Sequence, residues 1–316
     1  MNTLTFNDSD KANLQKPFIK WVGGKTQIIN KILERMPVTM NNYHEIFLGG
    51  GSVLLGVLSL QKQKRIIIKN KVYAYDLNKP LINTYKKIKN ECAEVIKQVT
   101  ILKDTFNDIT TLRSEGRWPP KNELLDNTNC KKSKEHYYYW IRAKYNNSDK
   151  DTVLSAAYFI FLNKTGFKGM YREGKNGFNI PYGQKDKKKF ILVIEEDILN
   201  EVSELIQNVE FKCMSFTESL EIPKKGDYVY LDPPYVPEIE TSFTGYTLDG
   251  FPTEKHTELF DKTKKLSCKF TMSNSKMDLV TNAFTASKYT IDEVQARRAI
   301  HQKNPGATTK EVIIYN

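Results

Sequence analysis

Cysteine and histidine are scarce, with four of each in 316 residues. Cys92, Cys130, Cys213 and Cys268 stand far apart, with no Cys-x-x-Cys pair and no cluster of histidines beside them. Neither a zinc cage nor a disulfide framework is therefore expected, and reduced, mostly structural cysteines are the reading. Glycine, at 16, and proline, at 12, fall well short of low-complexity or collagen-like levels, which excludes wholesale disorder. No apolar run approaches the roughly 18 residues that span a bilayer. The opening decapeptide, Met1 to Asp10, lacks the cationic start and apolar centre of a signal peptide. These absences lead us to expect a cytoplasmic protein with no membrane partner.

Acid is also in deficit. The chain has 48 Lys plus Arg against 37 Asp plus Glu, a formal charge of +11, which fits a polyanionic partner. The excess is unevenly spread. Residues 87–189 carry 21 basic and 12 acidic side chains, a balance of +9, leaving only +2 for the rest. The same stretch holds Trp118, Trp140, Tyr137-Tyr138-Tyr139, Tyr145, Phe167 and Tyr171. Aromatics among basic residues suit phosphates and unstacked bases; a solvated basic helical domain with an aromatic core has the same composition. Lys185, Lys187, Lys188 and Lys189 at its boundary fit backbone contacts and a soluble loop equally.

The flanking thirds alternate between strand and helix patterns. Tyr43 to Phe47 reads as a short strand, Gly49-Gly50-Gly51 as a turn, Ser52 to Leu60 as a helix, and Arg65 to Tyr75 as the next strand or strands, ending at Asp76. That order is a βαβ unit and implies a parallel sheet. Asp227 to Leu231 is another buried-type strand, halted by two prolines. Helices are predicted at Glu254–Lys265 and Asp278–Ala283 and a strand at Cys268–Met272. A hairpin is predicted from Ile291–Ile300 and Lys310–Tyr315, with Asn304-Pro305-Gly306 in its loop. The simplest assembly is an α/β, Rossmann-like sheet domain, residues 1–86 and 190–316, interrupted by a mostly helical insertion, 87–189.

In such a sheet, ligands sit beyond the carboxyl ends of the strands, where three features fall. Gly49 and Gly51 permit a tight turn and close approach of a ligand to the backbone; Leu54 stands where a dinucleotide fingerprint would need a third glycine, so pyrophosphate binding loses support. Asp76, 25 residues after Gly51, is placed to accept hydrogen bonds from both hydroxyls of a ribose. Asp232-Pro233-Pro234-Tyr235 combines a carboxylate, outward carbonyls freed by two prolines, and a flat ring. It suits a planar base bearing an exocyclic amine; the alternative is a rigid turn with a capping aspartate.

Taken in order, Pro17-Phe18-Ile19-Lys20-Trp21-Val22-Gly23-Gly24-Lys25, Phe47-x-Gly49-x-Gly51, Tyr75-Asp76-Leu77-Asn78 and Asp232-Pro233-Pro234-Tyr235 resemble the motifs of the Dam-like, D12-class DNA adenine-N6 methyltransferases. Leu162 to Arg172, Phe178 to Gly183 and Ser242 to Tyr246 agree with that family too, and the resemblance runs from about residue 17 to 315. It departs at Ile46, where the family usually has proline. The resemblance implies S-adenosylmethionine as methyl donor, S-adenosylhomocysteine as product, and double-stranded DNA as partner, with GATC as the first target to consider. Trp21, Lys25, Phe47, Gly49, Gly51, Asp76 and Asp232 match cofactor-site positions; Lys25 read by itself is a solvated helix-start lysine. Asp232, Pro233, Pro234 and Tyr235 match the catalytic tetrapeptide. The basic third corresponds to the target-recognition region, with Phe167, Lys168, Met170, Arg172 and Pro181 at the DNA, and Arg172 suits bidentate contact with guanine. Arg297, Arg298 and Lys303 on the hairpin fit phosphate contact or plain solvation. His136 and His256 are expected at the surface or in packing, because the implied reaction needs no imidazole. No metal and no obligate protein partner are implied, and a monomer is expected. Cytosine N4 or an RNA adenine as acceptor, or a DNA-binding protein without catalysis, are the rival readings.

Overall fold

Tyr-Val-Tyr-Leu at 228–231 is apolar on both faces, as a strand covered from both sides requires, and all four residues are buried. The computed structural model describes residues 4–6, 10, 13–113, 129–183, 190–237, 250–285, 287–297 and 308–316. These form two compact units. The first comprises Met1–Pro17, Gly23–Asn78 and Leu205–Asn316, the second Phe18–Val22 and Lys79–Glu204.

The first unit is built on a seven-stranded sheet of β1 (Tyr43–Glu45), β2 (Val72–Asp76), β3 (Val209–Cys213), β4 (Tyr228–Leu231), β5 (Lys269–Ser275), β6 (Thr290–Arg297) and β7 (Thr308–Tyr315). The order is β6-β7-β5-β4-β1-β2-β3. The five strands β5-β4-β1-β2-β3 are parallel, and the β6–β7 hairpin joins antiparallel through β7. The α/β Rossmann-like expectation holds, including the βαβ unit β1–α1–β2, with α1 at Ser52–Lys62. Part of the expected 65–75 strand lies elsewhere: Ile67–Ile68 pairs with Thr39–Met40 in a separate two-stranded ribbon. The order reverses between β1 and β4, the switch point at which open α/β sheets bind ligands.

The central strands carry more polar groups than buried strands usually do, and several of these pair with one another. His44 Nε2 lies 3.2 Å from Asp227 Oδ2 and Nδ1 3.2 Å from Tyr75 Oη. The hydroxyls of Tyr228 and Tyr230 meet Thr271 Oγ1 at 2.6 Å and Ser273 Oγ at 3.0 Å. Burial lowers the His44 pKa against the pull of Asp227, which favours the neutral ring. Between sheet and helices, Val229, Leu231, Leu259, Phe260, Phe270, Met272, Val312 and Ile314 form one apolar cluster.

The second unit is helical: α2 (Lys79–Asp108), broken at Glu91, α3 (Lys134–Asn147) and α4 (Val153–Thr165). Helix α4 is apolar all round from Ala156 to Leu162, and such a helix belongs at the centre of a bundle. Its start is capped by Thr152, whose hydroxyl accepts from the Ser155 amide at 3.1 Å. The aromatics of this segment are mostly interior. Tyr137, Tyr138, Tyr139, Tyr145 and Tyr171 are all buried. Phe106 meets the rings of Tyr137, Phe161 and Tyr182. A core, rather than a row of base-stacking platforms, is what most of them supply. Trp118 and Lys185 to Lys189 lie outside the described residues.

Candidate active site

The loop after β1 is held open by the two strands beside it. The Ile46 amide donates to the Tyr230 carbonyl of β4 at 3.0 Å, and the Leu48 amide to the Tyr75 carbonyl of β2 at 2.8 Å. Gly49 and Gly51 follow with φ of 49° and 68°, left-handed conformations in which a side chain would be strained. Gly51 is also the N-cap of α1 and offers no side-chain cap. Asp76, at the end of β2, closes this loop: its Oδ2 accepts from the Gly49 amide at 2.9 Å, and its Oδ1 from the Asn78 amide at 2.9 Å. Burial raises the Asp76 pKa while these bonds oppose the rise. Each carboxylate oxygen retains further acceptor capacity, and Leu77 beside it is 59% exposed. Phe47 leans on Phe216 and Phe251, with ring centroids 6.0 and 6.3 Å away. Neither of those two residues stood out in the sequence, since they come from 169 and 204 positions downstream of Phe47.

Residues 232–237 leave β4 as irregular chain. Lys25 and Asp232 form an ion pair, Nζ to Oδ1 2.8 Å, with the lysine side chain 5% and the aspartate 21% exposed. The solvated reading of Lys25 is thereby corrected: its ammonium also donates to the Gly23 carbonyl at 2.5 Å and lies 4.8 Å from the centre of the Tyr235 ring. Burial would be costly for a lone lysine, and the carboxylate offsets it. Burial pushes the Asp232 pKa up to about 6, with Lys25 pulling it down and Glu311 adding to the rise. Glu45, the last residue of β1, is buried and accepts from Tyr43 Oη at 2.8 Å. Burial drives its carboxyl well above the usual carboxylate range against that bond, and the nearby Asp232 charge reinforces the shift. Lys25, Asp232 and Tyr235 thus make a compact site, with the buried Glu45 carboxyl near enough for its charge and that of Asp232 to oppose each other. Such a site can accept hydrogen bonds from an amine over an aromatic face.

Trp21 belongs to the second unit, where its ring stacks between Phe159 and Tyr171 at 6.4 and 6.0 Å. The segment expected to touch DNA is a tight knot in that unit. Phe167 N donates to the Pro181 carbonyl at 2.9 Å, and Met170 N to the Phe167 carbonyl at 3.1 Å. Lys168 is exposed with φ of 54°, its ammonium 5.5 Å from the centre of the Phe167 ring. Asn163 ties the knot: its amide nitrogen donates to the carbonyls of Lys20 and Gly169 at 2.7 and 3.0 Å. Arg172 is exposed, with Nε donating to Asn179 Oδ1 at 2.7 Å, which aims the guanidinium. Arg297 ends β6, and its side chain, like Arg298, Lys303 and Ser242 to Tyr246, lies outside the described residues. Of the two histidines set aside above, His256 is packed in the first unit among Phe251 and Phe260, and His136 sits half-buried on α3, its Nδ1 2.7 Å from Ser133 Oγ.

Comparison with known proteins gives a consistent result. The family model described as D12 class N6 adenine-specific DNA methyltransferase matches residues 21–300. The Type II methyltransferase M.MjaIII of Methanocaldococcus jannaschii is 35% identical over 301 residues, 91% of this chain and 93% of that protein. The Type II methyltransferase M1.LlaDCHI of Lactococcus lactis subsp. cremoris is 33% identical over 100% of this chain and 99% of its own length. The DNA adenine methylase of Escherichia coli strain K12 is 28% identical over 94% and 92%.

Proposed function

The chain belongs to the D12 class of N6 adenine-specific DNA methyltransferases, and from that premise we propose that it takes its methyl group from S-adenosylmethionine and delivers it to an adenine turned out of duplex DNA, with GATC as its target. The donor, when bound, supplies an electrophilic methyl carbon. The residues present fit it. Left-handed Gly49 and Gly51 leave the backbone open to close approach, Asp76 offers lone pairs to a ribose diol, and Phe47 with exposed Leu77 offers apolar surface to a purine.

The observation that carries the reading is the meeting of Asp232 and the glycine loop at the ends of two neighbouring parallel strands, Glu45 opposite Tyr230 in register. Adenine N6 is a poor nucleophile, its lone pair being delocalised into the ring, and in a duplex it is paired, so the base must leave the stack. Asp232 and the Pro233 carbonyl accept hydrogen bonds from the two N6 hydrogens, drawing the nitrogen toward tetrahedral geometry. Pro234 keeps the turn rigid and Tyr235 holds the face of the ring. Lys25 surrenders Asp232 to the incoming amine. Rate then comes from positioning and from carboxylate charge aimed at the developing positive nitrogen, with no covalent enzyme intermediate. The second unit is the target-recognition domain, an insertion carrying the basic excess of 87–189, with Phe167, Lys168, Met170, Pro181 and Arg172 facing the duplex.

Two measurements test this. Calorimetric titration with S-adenosylmethionine should give a saturable heat that Asp76→Ala removes; no heat with the intact protein would overturn the donor. Sequencing DNA from cells expressing the protein, with detection of modified adenine, should place the mark in GATC, and a mark confined to another sequence would overturn the target.

A further inference from the structure

We infer that Glu311 is a positioning residue for the reaction, its carboxylate fixing the ring of Tyr235 from the far end through the phenolic hydroxyl. The inference rests on the reading of Tyr235 as the face against which the base lies. A tyrosine anchored only at its backbone turns about two side-chain bonds, and a platform must not. Here both ends are held. Beside Tyr235, the Val236 amide donates to Asn274 Oδ1 at 3.2 Å and the Val236 carbonyl accepts from Ser275 Oγ at 2.7 Å. Asn274 and Ser275 are buried at the end of β5, so the main chain is pinned to the sheet. At the tip, Tyr235 Oη donates to Glu311 Oε2 at 2.8 Å.

The acceptor is itself rigid. Glu311 lies in β7, paired with Ser275 of β5 on one side and Val294 of β6 on the other. Its neighbours Val312 and Ile314 are wholly buried, so this is an interior strand on which a half-buried carboxylate is costly unless it has work to do. Its partner is the one tyrosine of the tetrapeptide that ends β4. A charged acceptor also makes the stronger hydrogen bond to a phenol. Asn274, Ser275 and Glu311 thereby hold backbone and ring at once, with the Lys25 ammonium over the ring face.

The test is steady-state methyl transfer by Tyr235→Ala, Tyr235→Phe, Glu311→Ala, Glu311→Gln and the Tyr235→Phe/Glu311→Ala double variant. Loss of the platform in Tyr235→Ala should cost roughly 10- to 100-fold. Tyr235→Phe and Glu311→Ala should each lower kcat about tenfold with KM for S-adenosylmethionine unchanged, as removal of one charge-assisted bond implies. The double variant should be no worse than either, and Glu311→Gln, which can still accept from the hydroxyl, should recover most of the rate. Tyr235→Phe leaves β7 untouched, so the result does not hang on whether Glu311→Ala folds. Wild-type kcat in Tyr235→Phe, or additive losses in the double variant, would overturn the positioning role while a crippled Tyr235→Ala kept the platform. A wild-type rate in Tyr235→Ala would remove the platform itself.

Discussion

Asp232 carries the charge aimed at a developing positive nitrogen, and accepts hydrogen bonds with both oxygens, as the carboxylate. Burial holds its pKa at about 6, above the ordinary value, with Lys25 moderating the shift. Below that pH the group is protonated and can no longer accept in both directions, so kcat/KM should fall about tenfold per pH unit on the acid side and level off above. A profile flat between pH 5 and 8 would separate Asp232 from the rate. This residue, the glycines and Asp76 were legible in the sequence because each ends a strand whose apolar run is itself visible. Lys25 was not. Read alone it is a soluble lysine, and what buries it is Asp232, 207 positions away. Glu45 and Glu311 were missed for the same reason: a carboxyl in a strand looks solvent-facing until the neighbouring strand is known.

At the scale of elements, the sheet was read well and the aromatics less well. Asp278–Ala283 is helical over the expected span, and the tail hairpin pairs Thr290 to Tyr315. Local pattern encodes period and turn chemistry, and both survive folding here. Composition does not encode which face of a helix turns inward, so Tyr137 to Tyr139, which suit base stacking as well as a core, lie in the core. The helix Thr253–Lys264 carries a related surprise. His256 is 1% exposed, wedged 4.7 Å from Phe251, and neither ring nitrogen has a partner among the described residues. Burial lowers its pKa to about 4 from 6.5. The unfolded chain binds the proton first as pH falls, so this site destabilises the fold progressively from pH 6.5 toward 4, at no more than about 1.4 kcal/mol per pH unit. His256→Phe should raise the thermal midpoint at pH 7 by removing unsatisfied buried nitrogens, and raise it further at pH 5. Equal midpoints at both pH values in variant and parent would refute this.

For the whole molecule, charge divides the labour. The first unit has the switch point and its carboxylates; the basic excess lies in 87–189. On the proposed function the base-reading group lies in that basic part, where Arg172 is exposed with its fork steadied by Asn179. Arg172→Ala should relax discrimination at a single base pair by about 1 to 3 kcal/mol in competition assays, leaving other positions as they were. A uniform loss on every sequence would mark a phosphate contact instead. The most direct test of the central claim is transfer of tritiated methyl from S-adenosylmethionine to a GATC duplex by Asp232→Ala. No detectable incorporation is expected from a variant that stays folded and still binds the donor, at a thermal midpoint lowered by the unpaired Lys25 ammonium; incorporation at the parent rate would contradict the role given to Asp232.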